Sequence, residues 1–441
     1  MSARGEIDFE DAHLVSSFVC LLGFFLHIVF SQPLLAAMGL STAAEQGGNL
    51  FAKIHPGSYA VFLAFFAYLW ERGNPVQEVL SAARRFPAYA GLLGLYIALA
   101  GFWVLRDVSG VGLLFDTHMP LPICAIILSS APKDFCRRAL YGFVILAAVN
   151  SSTGIIEAIG KFRVFTFDSD WVVLREEYFR ASALGGHPLN NAMFTSVAMF
   201  VTLAIRLPVI LKGILLGIFT VSLVAFGGRA GIGFSVIGLA VCGIDAMRRT
   251  LASGRMPMRR LFLLLTLAAL LPLGFLGGLN VLLKSSIGER IAATSSLDDD
   301  SAQGRWLAFN VFDKMSETEI IMGVSGERVV NIAYRLGLMW PISDIENPWV
   351  LMLMQLGAVG FAFWLAATGI FVYHLVRGRP LPLQLAVLIY FITASTSNSF
   401  GRKDSVYLIM VCAVMCAARV LAAHPAELPS QTQAQIAFRP G

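Results

Sequence analysis

Residues 283–348 read LKSSIGERIAATSSLDDDSAQGRWLAFNVFDKMSETEIIMGVSGERVVNIAYRLGLMWPISDIENP. This is the one long polar interval in a chain that is otherwise apolar run after apolar run. It carries a Gly-Arg-Trp (Gly304, Arg305, Trp306), a Gly-rich turn (Gly323, Gly326), and a Glu-Asn-Pro (Glu346, Asn347, Pro348) just before the next apolar run. Its contrast with what flanks it decides the fold: a polar loop outside the membrane, carried on helices within it.

Working outward, 57% of the 441 residues are hydrophobic and 14% are charged, with a mean hydropathy of +0.71. Soluble chains hold roughly 45–50% apolar and about 25% charged residues, so the apolar excess belongs in lipid. A crossing takes about 20 mostly apolar residues. Only helices and closed barrels satisfy their backbone in hydrocarbon. The runs are continuous rather than alternating, which selects an all-α integral membrane protein.

Twelve spans are expected, near 14–30, 58–70, 88–105, 111–130, 139–159, 191–205, 209–226, 230–247, 261–283, 349–373, 383–394 and 405–422. Residues 1–423 then form one membrane domain, with long outer loops at about 160–190 and 284–348. The tail 424–441 is polar, with Pro and Gln, and reads as disordered.

Orientation follows the Lys and Arg of the short loops. With the N-terminus inside, the short outer loops hold only Lys53, Arg106, Arg229, Arg402 and Lys403. The inner loops carry clusters such as Arg84 with Arg85, Arg137 with Arg138, and Arg259 with Arg260. Both termini are therefore expected in the cytoplasm. The acidic start (Glu6, Asp8, Glu10, Asp11) and the long first apolar run suit an uncleaved span better than a signal peptide.

A net charge of +5 is modest and suggests no nucleic-acid partner. The six cysteines all lie in or beside apolar runs, with no CxxC pair, so neither a disulfide framework nor a metal site is expected from them. No internal repeat is evident, and Gly227, Gly228 and Gly231 follow no strand, so they are not a nucleotide fingerprint.

Several polar residues are candidates for chemistry, each with a plain structural reading beside it. Arg229 in FGGRAG and Arg305 in QGRW have the planar fork of donors that suits phosphate oxygens. Outer arginines also snorkel to lipid headgroups. In 175–191, REEYFRASALGGHPLNN, a turn before a helix accounts for Gly186, Pro188 and Asn190. It leaves Arg180 and His187 without an assigned role, and Asn191 follows them. Glu346 reads as a general base or as an acid placed at a helix start. Asp298, Asp299 and Asp300 read as a solvated loop or, less simply, as a divalent-metal pair. Asp116, His118 and Glu157 are ionisable groups inside predicted spans, the residues a transporter or flippase would use.

The order of these pieces resembles the O-antigen ligase and polysaccharide polymerase superfamily of bacterial inner membranes. The resemblance covers about 175–360: Arg180 with GGHPLNN, then GGRAG, QGRW, the MGVSGE turn, and ENPWVLMLMQLGAVG. It implies a fold like the C-type membrane glycosyltransferases, with a long periplasmic loop and no metal or other cofactor. It implies an inverting glycosyl transfer from undecaprenyl diphosphate at the periplasmic face, making exopolysaccharide or O-antigen. Arg229 and Arg305 would hold the diphosphate, with Arg180 as a third. Trp306, His187, Asn191 and Asn347 would help bind substrate. Members begin the span after the long loop with His-Asn. Here Glu346-Asn347 stands there, so the base would be Glu346. A polymerase is the expected activity, and a ligase acting on lipid A-core is the alternative. Partners would be the lipid-linked glycan and membrane lipids, with a chain-length regulator left open.

Overall fold

The computed structural model describes residues 13–31, 34–35, 38, 40, 54–71, 73–106, 111–164, 179–252, 306–337, 345, 347–396, 403 and 405–422. Among the described residues the chain is all-helical. The main helices are α1 (Leu14–Val29), α2 (Pro56–Trp70), α3 (Pro75–Arg85), α4 (Pro87–Arg106), α5 (Pro120–Ser129), α6 (Lys133–Gly160), α7 (Pro188–Ala204), α8 (Val209–Phe226) and α9 (Arg229–Ala252). They continue with α10 (Glu317–Met322), α11 (Gly326–Arg335), α12 (Pro348–Val376), α13 (Leu381–Ala394) and α14 (Ser405–Leu421).

Five of these, α4, α6, α8, α9 and α12, contain stretches long and apolar enough to cross a membrane, as befits a membrane protein; α1, α2, α13 and α14 are apolar but shorter. Eleven of the twelve expected apolar runs are helical over their described residues; 261–283 lies outside the described residues.

The short helices are the central ones. In α14 every residue from Val406 to Ala418 is buried, and in α7 every residue from Asn191 to Thr202. A helix that is apolar all round belongs inside a bundle. Helix α14 packs on α1, α5, α6, α7 and α13. Small residues let these helices approach closely. Cys20 of α1 lies 3.5 Å, sulfur to sulfur, from Cys124 of α5. Where α1 crosses α2, a Cβ on Gly23 would stand 2.8 Å from the Gly57 carbonyl oxygen.

Polar side chains close the helix ends. Glu71, at the end of α2, accepts from the backbone N–H of Val15 (2.7 Å) and Ser16 (3.1 Å), and from the Ser16 hydroxyl (2.6 Å). It thereby satisfies the open N-terminus of α1. A five-residue π turn, Leu114–His118, precedes α5. It carries Asp116 into a buried ion pair with Lys403 at 2.7 Å, and Asp116 also accepts from the N–H of His55 at 2.9 Å.

Helix α3 was not foreseen. Asn74 caps it through the N–H of Gln77 at 3.2 Å, and Pro75 occupies its first turn. The basic inner loop of the sequence reading is thus a short amphipathic helix.

Residues 306–337 form a lobe with a core of its own. Ala308, Val311, Met315, Val324, Val329, Ile332 and Ala333 pack against Ile345 and against Val350, Leu351 and Met354 of α12. Helix α12 is broken at Gly357, whose φ of 68° and ψ of 170° are not helical. Gly323, with φ of 80°, closes α10 against that break. A Cβ at Gly323 would stand 2.5 Å from the Gln355 carbonyl oxygen, and one at Gly357 would collide with Gly323 N and Ile321 O. Only glycine permits both this backbone contact and these φ values. The N–H of Val324 completes the joint by donating to the Met354 carbonyl at 2.8 Å.

Candidate functional site

Two polar residues on one face of α6 organise the turn that precedes α7. Glu157 and Asn150 are seven apart, two helical turns. Glu157 is fully buried. Its Oε1 accepts from the N–H of Val164 (2.7 Å), and its Oε2 from the N–H groups of Ser182 and Ala183 (both 2.8 Å). Asn150 accepts from the N–H of Leu184 at 3.1 Å and donates to the Asn191 side-chain oxygen at 3.1 Å. The Asn191 amide in turn donates to the Ser182 carbonyl. Ala183 sits at φ 41°, a left-handed conformation that costs an alanine about 1–2 kcal/mol; the Glu157 carboxylate holds it there.

The same turn is fixed to the end of α8. Ala181 N–H donates to the Ala225 carbonyl at 3.1 Å. Gly228 lies on the first turn of α7, where a Cβ would come 2.6 Å from the Ala192 Cβ. Ser235 of α9 donates to Ser196 of α7 at 3.0 Å. Three chain segments therefore meet at one end of the bundle. Arg180 enters the turn, half-buried; His187 is half-buried at the N-cap of α7; and Arg229 is the exposed first residue of α9. Arg163 joins them. Its Nε donates to the Arg180 carbonyl at 3.3 Å, and its guanidinium lies 5.0 Å from the centre of the Phe179 ring.

The other candidates belong to the lobe or to the core. Trp306 is 76% exposed, with the Phe309 ring 6.1 Å away. Asn347 caps α12 through the N–H groups of Trp349 (3.1 Å) and Val350 (3.2 Å). Glu346, Arg305 and the Asp298 to Asp300 run lie outside the described residues. His118 is buried among Tyr96, Trp364 and Tyr407, with ring centres 5.4, 6.1 and 6.5 Å away. Within the lobe, Ser316 and Glu319 form a capping box. Arg328, 2.8 Å from Glu319, holds that carboxyl down to about 2. Among the described residues no group of three or more His, Cys, Asp or Glu is placed to hold a metal ion.

An apolar surface groove of about 500 Å³ runs between α6 and α8. Tyr141, Val144, Ile145, Ala148, Val149, Ser152, Thr153 and Ile156 line one side, and Leu207, Leu211 and Leu215 the other. From Tyr141 to Ile156 it follows α6 for about 22 Å at 1.5 Å per residue. It reaches the residue just before Glu157.

The fold and this end of the bundle define an all-helical membrane protein with a cationic, tightly hydrogen-bonded turn. No family model matches the chain, and no match was found among curated proteins.

Proposed function

We propose that this chain is a bacterial inner-membrane polysaccharide polymerase, a metal-independent inverting glycosyltransferase. It joins repeat units carried on undecaprenyl diphosphate at the periplasmic face. Twelve crossings put both termini in the cytoplasm and the turn at 179–192 outside.

One observation carries the reading. An apolar groove long enough for a hydrocarbon chain runs along α6 as far as Ile156, towards the end of the bundle where the chain brings Arg163, Arg180 and Arg229 to the segments that meet at the 179–187 turn. A ligand with a long hydrocarbon tail and an anionic head fits that pairing of surfaces. The charges account for the chemistry. The leaving group is a lipid diphosphate, and fixed guanidinium groups stabilise the charge that develops on it as the glycosidic bond breaks. The acceptor hydroxyl attacks the anomeric carbon from the opposite side and gives its proton to Glu346. The configuration at that carbon inverts. Of the residues a transporter would use, Asp116 is engaged by Lys403 and the His55 N–H and Glu157 by backbone N–H groups, which supports the enzyme reading.

The test uses purified protein with lipid-linked repeat units and no metal. A ladder of longer lipid-linked chains is expected. Arg229→Ala should lower its rate by about 10²–10³, by analogy with loss of one oxyanion donor, while the exposed side chain leaves insertion unchanged. Transfer only after lipid A-core is added would make the protein a ligase. A full-rate ladder from a well-inserted Arg229→Ala protein would refute the role of that arginine.

A further inference from the structure

The break at Gly357 fixes how deep the lobe sits. Beyond it, residues 358–376 continue for nineteen residues, about 28 Å at 1.5 Å per residue. That matches a hydrocarbon core of about 30 Å. This segment exposes Val359, Phe363, Ile370 and Tyr373 on one side and buries Trp364 and Phe371 on the other, the pattern of a helix with one face in lipid. The residues before the break, 348–356, divide between two cores: Val350, Leu351 and Met354 pack into the lobe, while Met352 and Leu356 face the bundle. The edge of the hydrocarbon therefore falls close to Gly357.

Helix α10 ends at that level, because Gly323 touches Gly357. Its residues are graded along its length. Glu317 and Glu319 stand in the first turn, and Glu319 is engaged by Arg328. Ile321 and Met322 occupy the last turn, 49% and 42% exposed. The apolar end is the one held at the height of Val359, itself 50% exposed. A soluble surface has no reason to place two large aliphatic side chains beside a lipid-facing helix. A bilayer surface does, since each gains by leaving water.

We infer that the lobe docks on the outer surface of the bilayer through Ile321 and Met322, with the lipid itself as the partner. The Gly323–Gly357 contact sets the depth, and the two side chains reach into the headgroup and upper acyl region. The inference rests on α12 crossing the membrane, and the word outer on the orientation proposed above; it is independent of the proposed reaction.

The experiment is power-saturation spectroscopy on the full chain in lipid nanodiscs. The background is Cys242→Ser, which removes the one native cysteine that is not buried. Single nitroxides are placed at Ile321→Cys and, separately, at Met322→Cys. Phe363→Cys serves as the lipid-facing reference and Glu327→Cys as the exposed reference on the lobe. The ratio of oxygen to nickel-chelate accessibility should be several-fold higher at 321 and 322 than at 327, approaching the value at 363. A ratio equal to that at 327 would overturn the inference, because both side chains would then be in water. Shielding from both reagents would also overturn it, since the surface would be covered by protein. The two sites are tested separately, so one poorly inserted variant leaves the other to decide.

Discussion

Replacing Glu157 with alanine removes the acceptor of three backbone N–H groups at once, on Val164, Ser182 and Ala183. A hydrogen bond to a charged group contributes about 1.5–3 kcal/mol. Two of the three lie on adjacent residues of the 179–187 turn, which puts about 3–6 kcal/mol on the turn alone. Water enters the space left by the side chain and recovers part of this, so the lower end, about 3 kcal/mol, is the working figure. Local opening governs amide exchange, and each 1.4 kcal/mol is a factor of ten. Ser182 and Ala183 amides should therefore exchange about 10²-fold faster in Glu157→Ala than in the parent, read by hydrogen–deuterium exchange in nanodiscs. Glu157→Gln keeps one acceptor oxygen and should fall between the two. Ala183 should also relax from its left-handed conformation. An unchanged rate at Ser182 and Ala183, in a variant with full helical content, would refute the idea that this carboxylate holds the turn.

The Gly323–Gly357 joint admits a second test. Gly357→Ala meets Ile321 O and Gly323 N and puts an alanine in a positive-φ extended conformation essentially restricted to glycine, so a loss of about 1–3 kcal/mol from the backbone alone is expected, read as a lowered melting midpoint. Gly369→Ala, with open space around its Cβ, should be neutral. Asp116→Asn leaves Lys403 buried without its counter-ion and should destabilise by about 3–5 kcal/mol in chemical unfolding; Asp116→Leu with Lys403→Met should recover most of that. Glu319 has its pKa lowered in the folded state to about 2. Its stabilisation is therefore complete above the ordinary glutamate value of about 4.3 and disappears as pH falls towards 2. The acid dependence of lobe unfolding, followed by Trp306 fluorescence, should flatten across that window in Glu319→Gln.

The helices were legible where length and composition alone decide them: a continuous apolar run has one structural outcome in lipid. Asn347 stands in the sequence as a substrate-binding residue of the resembled family; its cap on Trp349 and Val350 is a local event, complete within three residues. Helix α3 is less legible because Arg84 and Arg85 carry the charge of an inner loop, although Asn74-Pro75 marks a helix start. The break at Gly357 was hidden inside GAVG, a run that reads as unbroken helix, since its cause is a backbone contact with Gly323, thirty-four residues earlier. Glu157 was noticed as an intramembrane acid. Its partners, however, are main-chain N–H groups 7 to 26 residues away, and every residue type but proline offers the same donor. Asn191 is held by Asn150 and by the Ser182 carbonyl, partners forty-one and nine residues earlier that no local pattern marks. Arg163 carries no motif and is picked out only by its bond to the Arg180 backbone.

The placement of α14 has a consequence for how the molecule is made. Among the described helices it leaves the ribosome last, yet it fills the space bounded by α1, α5, α6, α7 and α13. Until it arrives, those helices surround an unfilled centre, and Asp116 waits without Lys403, which lies two residues before α14. Synthesis and closure are therefore separate events. Until then the nascent bundle lacks the contacts that α14 makes with five helices, and a chain halted before residue 403 would leave those faces and Asp116 uncovered.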